Sequence, residues 1–597
     1  MKISVRFISS LLCLVILVCS MSSCFSVGQH AQDFTGEGSG STATTTRTLA
    51  PDPQQTTAST TGSTRPSLPG STGADPGKTT ASTTGNQTPP DEPITMDFRF
   101  PYVLKTEEVD EFYEMLNAIQ AGVLENKITT DELAEMVEEM ETRFYYISTQ
   151  SQIAYVEYCF FNDEASEENY LYSSGAETDI YTAYMKTCAA IDAAEESALK
   201  TAFFDGWTDE DFASMRGYSE ELSEYSKISQ NILVDYRALT DEEFEDGAAE
   251  LLMDLVECNE AIAKLEGYDS YLDYAYDVIY GRDYSPEKTA QMRQFVKDRI
   301  VPLCKTAYDK FQATFSALKG GEQSRVISLV ESDYDRLPIN YLDQFLATLP
   351  EDAKNAMNGM FDDENVLFSD HEFSEAGAFT GYLYAYETPF CYFGPGYQNL
   401  FTMVHELGHY YNYICNAEAS MSYDLAELHS QGNEFLLLAY LQDAKDAKVI
   451  EAVTYYQVFN ALFTVIIATI VDDFETYVYT HADEITDPTV QLDEIMNQIV
   501  ASYDRANFIK GNADMLSYWR YVTVEHPLYY ISYAMSGLMS VELYALAIED
   551  YDAALEVYCA IVTASNGEKT FLEVLADAGL GNPFSEETYA RLEGICA

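Results

Sequence analysis

The chain has 597 residues and carries 98 acidic against 33 basic side chains, a formal net charge of −65. That balance excludes non-specific binding to nucleic acid or to an anionic membrane surface, since both need clustered Lys and Arg. With 47% hydrophobic residues and 46 tyrosines the chain has ample material for a large core, which excludes disorder throughout.

Lys2 and Arg6 precede the apolar run Leu11–Val18, which is too short to span a bilayer and reads as a signal peptide over residues 1–23. It ends in Met21-Ser22-Ser23-Cys24. Small residues before a cysteine resemble the lipobox of bacterial lipoproteins, and this implies acylation of Cys24 and an exported chain anchored to the cell membrane, facing outside the cytoplasm. Simple secretion is the alternative. Residues 24–95 are rich in Thr, Ser, Gly and Pro, and Thr-Thr-Ala-Ser-Thr-Thr-Gly occurs at 56–62 and again at 79–85. Such a segment buries too little surface to offset its ordering entropy and is predicted to be a flexible linker.

From residue 96 to 597 helix signals recur. Thr129 with Glu132, and Thr240 with Glu243, make capping-box patterns. Ser285-Pro286 places a cap and then a proline at a helix start, and that pattern is predicted to run to Val301 and stop before Pro302. Ala461–Val471 is apolar all round but too short to cross a membrane, so it reads as a buried helix. Gly377–Pro395 differs: aromatic and β-branched residues punctuated by Gly and Pro predict strands or a hairpin. The eight cysteines beyond Cys24 are scattered with no Cys-x-x-Cys pair, which argues against a cysteine zinc site.

The chemistry is concentrated in His405-Glu406-Leu407-Gly408-His409. On a helix the two histidines stand one turn apart on one face and can meet one metal ion, while Glu406 lies beside the remaining position and can take a proton from water there. In a chain with seven histidines, chance supplies on the order of 0.01 such motifs. Zinc suits two neutral imidazoles plus a carboxylate, so a third ligand is required. Glu427 and Glu434, seven apart, lie on one face of a second predicted helix, and spacing alone does not choose between them.

These residues, with Glu427-x-x-Ser430 and Glu434, resemble the thimet oligopeptidase and oligoendopeptidase F family of zinc peptidases. The resemblance extends over roughly residues 200–590. It includes Lys264–Tyr271, Arg282–Ser285, Gly377-Ala378 through Pro395, and Pro527-Leu528-Tyr529-Tyr530-Ile531-Ser532-Tyr533-Ala534. It implies a mainly α, two-lobed helical peptidase around a deep substrate channel, with a small β element next to the zinc site. It implies Glu427 as the third ligand, Glu434 as support for a ligand, and one zinc per chain. Glu406 would be the catalytic base and Tyr533 the oxyanion donor, with Tyr530, His526, Gly377 and Ala378 contacting short peptide substrates. Where relatives often carry a histidine three residues after the second zinc-binding one, this chain has Asn412. Where they tend to place one several residues before the proline, His526 here abuts Pro527. Two other readings stay open: a zinc carboxypeptidase or dipeptidyl carboxypeptidase on a related scaffold, and a peptide-binding lipoprotein without catalysis. His371, His429 and His481 fit no motif.

Overall fold

A computed structural model describes residues 95–595, apart from 209–211, 213–214, 216–219, 238, 241–242, 331–338, 372, 418–421, 443–445, 505–507 and 510–513. The signal peptide, Cys24 and residues 24–94 lie outside the described residues. What is described is a large helical protein with one three-stranded sheet.

The first helices, α1 (Thr106–Leu124), α2 (Thr130–Phe161) and α3 (Glu164–Asp192), pack around Phe112, Leu116, Val137, Phe144 and Ile180. The predicted box at the start of α2 is formed: Thr129 Oγ1 accepts from Glu132 N at 3.2 Å, and Glu132 Oε2 accepts from Thr129 N at 2.8 Å. The second box is displaced. Thr240 Oγ1 donates to Glu243 Oε2 at 2.7 Å, but the helix begins at Phe244, so the pair fastens the turn that precedes it.

The helix that starts at Pro286 does not stop before Pro302. It passes through a π-helical turn, Val296–Ile300, in which Val301 N–H reaches Val296 O, and continues as α4 (Val301–Ala317). The wide turn changes the ladder at the point where proline has no N–H to give, which is how the chain carries a proline that ordinarily ends a helix.

The sheet has the order β1-β3-β2, with β1 (Val366–Phe368) parallel to β3 (Thr388–Phe393) and β2 (Ala378–Leu383) antiparallel to it. The predicted hairpin is therefore β2–β3, and β1 is an addition that the sequence did not announce. Alternation along the strands gives the sheet two buried faces. Phe379, Leu383, Phe390 and Tyr392 join Phe98, Ile153 and Val156 in a small core with the second half of α2. Ala378, Cys391 and Phe393 face the main core.

That main core is built by α5 (Leu400–Asn416), α6 (Tyr423–Leu441), α7 (Ala447–Thr480), α8 (Ile531–Glu549) and α9 (Tyr551–Ala564). α7 and α8 are apolar and long enough to cross a membrane by composition, yet 67% and 83% of their most apolar windows are buried within the protein, as predicted for Ala461–Val471.

Candidate active site and metal centre

α5 is started by Asn399, whose Oδ1 accepts from Phe401 N and Thr402 N, each at 3.1 Å, and α6 by Ser422, whose Oγ accepts from Asp424 N at 3.3 Å. The two helices cross at Gly408. A Cβ there would lie 2.3 Å from His429 O and 2.8 Å from Ser430 Cα, so only glycine permits this approach. Asn433 Nδ2 donates to Val404 O at 2.7 Å and ties the helices one turn further on. The crossing sets His405 and His409 against Glu427.

Glu427 Oε2 lies 3.5 Å from His405 Nε2 and 3.9 Å from His409 Nε2, and one ligating atom from each residue falls within 4.8 Å of the others. Tetrahedral zinc separates neighbouring ligand atoms by about 3.4 Å. The donor types fit as well: three carboxylates, Glu406, Glu427 and Glu434, converge on two imidazoles and leave a surplus of negative charge for a cation. The imidazoles are recessed but open, with side chains 19% and 15% exposed, while Glu427 is 3% exposed.

His405 Nδ1 meets Glu434 Oε1 at 2.7 Å, which makes Nδ1 the protonated nitrogen and leaves the Nε2 lone pair for the cluster. Burial disfavours the His405 imidazolium, but the Glu434 hydrogen bond and the three surrounding carboxylates outweigh it and raise its pKa to about 9, so a cation at Nε2 would take the place of a proton there. Among the described residues His409 has no such partner, and burial lowers it to about 4. Glu427 in turn accepts from Ser430 Oγ at 3.1 Å.

Glu406 is buried, and that burial pushes its carboxyl up to about 7. Its Oε2 accepts from Thr380 Oγ1 at 2.6 Å. Thr380 was not singled out by the sequence, although the strand alternation that places Ala378 on the α5 face puts Thr380 there too. Gly408 and Asn433 were also missed, because a close helix crossing leaves no trace in periodicity.

Gly377 has φ 144°, and its carbonyl accepts from Gly394 N at 2.6 Å; Ala378 opens β2 opposite Phe393. Tyr530 caps α8 and Tyr533 lies in its first turn, with rings 5.5 Å apart, and Tyr530 OH is 3.2 Å from Tyr518 OH. α8 packs along α6, where Ser536 Oγ donates to Asp424 O at 2.6 Å. The His526 ring is 6.0 Å from that of Tyr529. Asn412 is buried and accepts from Asn416 Nδ2 at 2.9 Å. His429, fully buried, bonds Ser565 Oγ at 2.9 Å.

No protein-family profile matches the sequence, and no curated protein matches it. Solved structures do. The chain has the fold of the oligoendopeptidase F and PZ peptidase structures, which are large helical peptidases. PZ peptidase A, solved with an inhibitor, aligns with a TM-score of 0.61 at 16% identity, over 84% of this chain and 98% of its own. A protein assigned as an oligoendopeptidase F gives 0.61 at 17% identity, over 84% and 97%. Another, from Bacillus anthracis strain Ames, gives 0.59 at 18% identity, over 83% and 96%.

Proposed function

We propose that the chain is an exported zinc metallopeptidase that cleaves peptide bonds within short peptides, with one zinc held by His405, His409 and Glu427. The observation that carries this reading is the convergence of two imidazole nitrogens and a carboxylate oxygen within 4.8 Å, beside a second buried carboxylate. The shared fold with oligoendopeptidase F and PZ peptidase A supports it. Zinc, when bound, supplies Lewis-acid polarisation of a carbonyl and of water near neutral pH.

The chain's own residues do the remainder. Glu434 holds His405 by its Nδ1–H, so the ring presents Nε2 in one orientation. Thr380 anchors Oε2 of Glu406, and the other carboxylate oxygen takes a proton from the attacking water and passes it to the leaving amine. Tyr533 donates a hydrogen bond to the oxyanion, while Tyr530 and His526 contact the peptide. β2 is an edge strand, and a peptide laid against it from Gly377 and Ala378 onward gains main-chain hydrogen bonds with little demand on side-chain identity. A lipid on Cys24 and the linker to residue 95 tether this domain to the outer face of the membrane.

The test is zinc content together with hydrolysis of a quenched fluorescent peptide. Chelation should abolish cleavage and zinc should restore it, with internal cleavage of peptides whose C-termini are free or amidated alike. Hydrolysis that survives complete metal removal, or zinc-loaded protein that cleaves nothing, would end the proposal.

A further inference from the structure

The turn that leads into α8 contains a conformational anomaly. Leu528 has φ 63°, in the left-handed region where a Cβ crowds the following carbonyl, and it is fully buried. No glycine relieves the position, so the surroundings must hold it. They do so from both sides. Glu475 Oε1, from α7, accepts from Leu528 N at 2.7 Å. Arg282 Nη2 donates to Leu528 O at 2.8 Å and to Ser532 Oγ at 3.1 Å. Tyr280 OH donates to the preceding carbonyl, Pro527 O, at 2.6 Å.

Arg282 and Glu475 are both buried, and burial pushes the Glu475 carboxyl well above the usual carboxylate range; the backbone of Leu528 lies between the two side chains and bonds to both. Nε and Nη1 of Arg282 and Oε2 of Glu475 have no hydrogen-bond partner among the described residues, so the side-chain hydrogen bonds of both residues go to this one turn. The guanidinium is itself fixed, with the Tyr276 and Tyr280 rings at 4.5 and 4.2 Å and Arg282 N bonded to Tyr276 O at 2.8 Å.

We propose that Arg282 and Glu475 are positioning residues: they clamp Leu528 in its left-handed conformation and so set the direction in which Tyr530 and Tyr533 leave the turn. Tyr530 follows Leu528 by two positions, and the chain from there into α8 is tight, with Ser532 N bonded to Tyr529 O at 3.0 Å and Tyr533 N to Tyr530 O at 3.1 Å. Moving residue 528 to a right-handed or extended conformation rotates the start of α8 and takes both phenols with it. The kinetic part of this proposal rests on the peptidase reading, and the structural part does not.

The test compares Glu475→Met, Glu475→Gln and Glu475→Met combined with Leu528→Gly, in the zinc-loaded full chain. Glu475→Met should lower kcat about 100-fold, the scale of a 1 Å misplacement, and raise KM as Tyr530 shifts from the peptide, with zinc content little changed. Gln, whose amide oxygen still accepts the Leu528 N–H, should recover activity. So should the added glycine, which adopts positive φ without a clamp. A crystal structure of Glu475→Met should show residue 528 out of the positive-φ region and Tyr530 parted from Tyr518. Should that variant fail to fold, Arg282→Lys, which keeps the charge and loses the fork, is measured in the same way. Unchanged kcat, no rescue by glycine in a folded protein, or an unmoved turn in the crystal would overturn the clamp. If the wild type cleaves no peptide, the peptidase reading falls, and the crystal structures alone decide the clamp.

Discussion

The α1–α2 hairpin and the α5–α6 crossing are both helix pairs, but they are built on different terms. At the hairpin the ends are secured within a few residues: Thr129 and Glu132 satisfy each other's backbone groups, and Lys105 N bonds Glu108 Oε2 at 2.9 Å. The faces that meet are ordinary apolar stripes. At the crossing the helices are buried nearly all round, and they meet through a missing side chain at Gly408 and a polar bond reaching across from Asn433 to Val404 O, while Tyr558 OH of α9 donates to His429 O at 2.8 Å. The first arrangement tolerates error because each cap is independent. The second does not, because one displacement moves His405, His409 and Glu427 relative to one another.

That contrast is open to attack, and the largest effect should come from the crossing's chemistry. Glu406→Gln removes the proposed proton acceptor and should retain shape and zinc, and kcat should fall by roughly 10²–10⁴-fold in a peptide assay; near wild-type turnover would refute the base assignment. Gly408→Ala comes next. The new methyl meets backbone that cannot swing aside, so stability should drop by about 3 kcal/mol in denaturant titration and stoichiometric zinc should be lost. Glu427→Ala and Glu434→Ala separate the proposed ligand from its proposed support: the first should abolish stoichiometric zinc, and the second should weaken zinc affinity about 10–100-fold by releasing His405. Retention of zinc by Glu427→Ala, with loss in Glu434→Ala, would reverse the two roles. Thr129→Ala should cost only about 1 kcal/mol and leave zinc content and cleavage unchanged. If it impaired zinc binding, the supposed independence of the hairpin would be wrong.

Much of the fold was legible because its signals are local. The box at Thr129, the β2–β3 hairpin between Gly377 and Pro395, and the buried run Ala461–Val471 are patterns written over a few turns or strands. Pro302 was misread for the opposite reason: a proline ordinarily ends a helix, and the π-turn at Val296–Ile300 that accommodates it leaves no mark in hydrophobic spacing. β1 was missed because three residues in parallel pairing carry too little pattern.

By itself the sequence determined the helical class and the pairing of His405 with His409 through a four-residue spacing, since the pitch of a helix turns that spacing into a shared face. It also narrowed the third donor to two glutamates on one helix. Only the tertiary structure brought Glu427 to both imidazoles, gave Glu434 to His405 and Thr380 to Glu406, and held Leu528 between Arg282 and Glu475. These contacts join residues tens to hundreds of positions apart, and their geometry depends on how helices cross, which no local periodicity encodes.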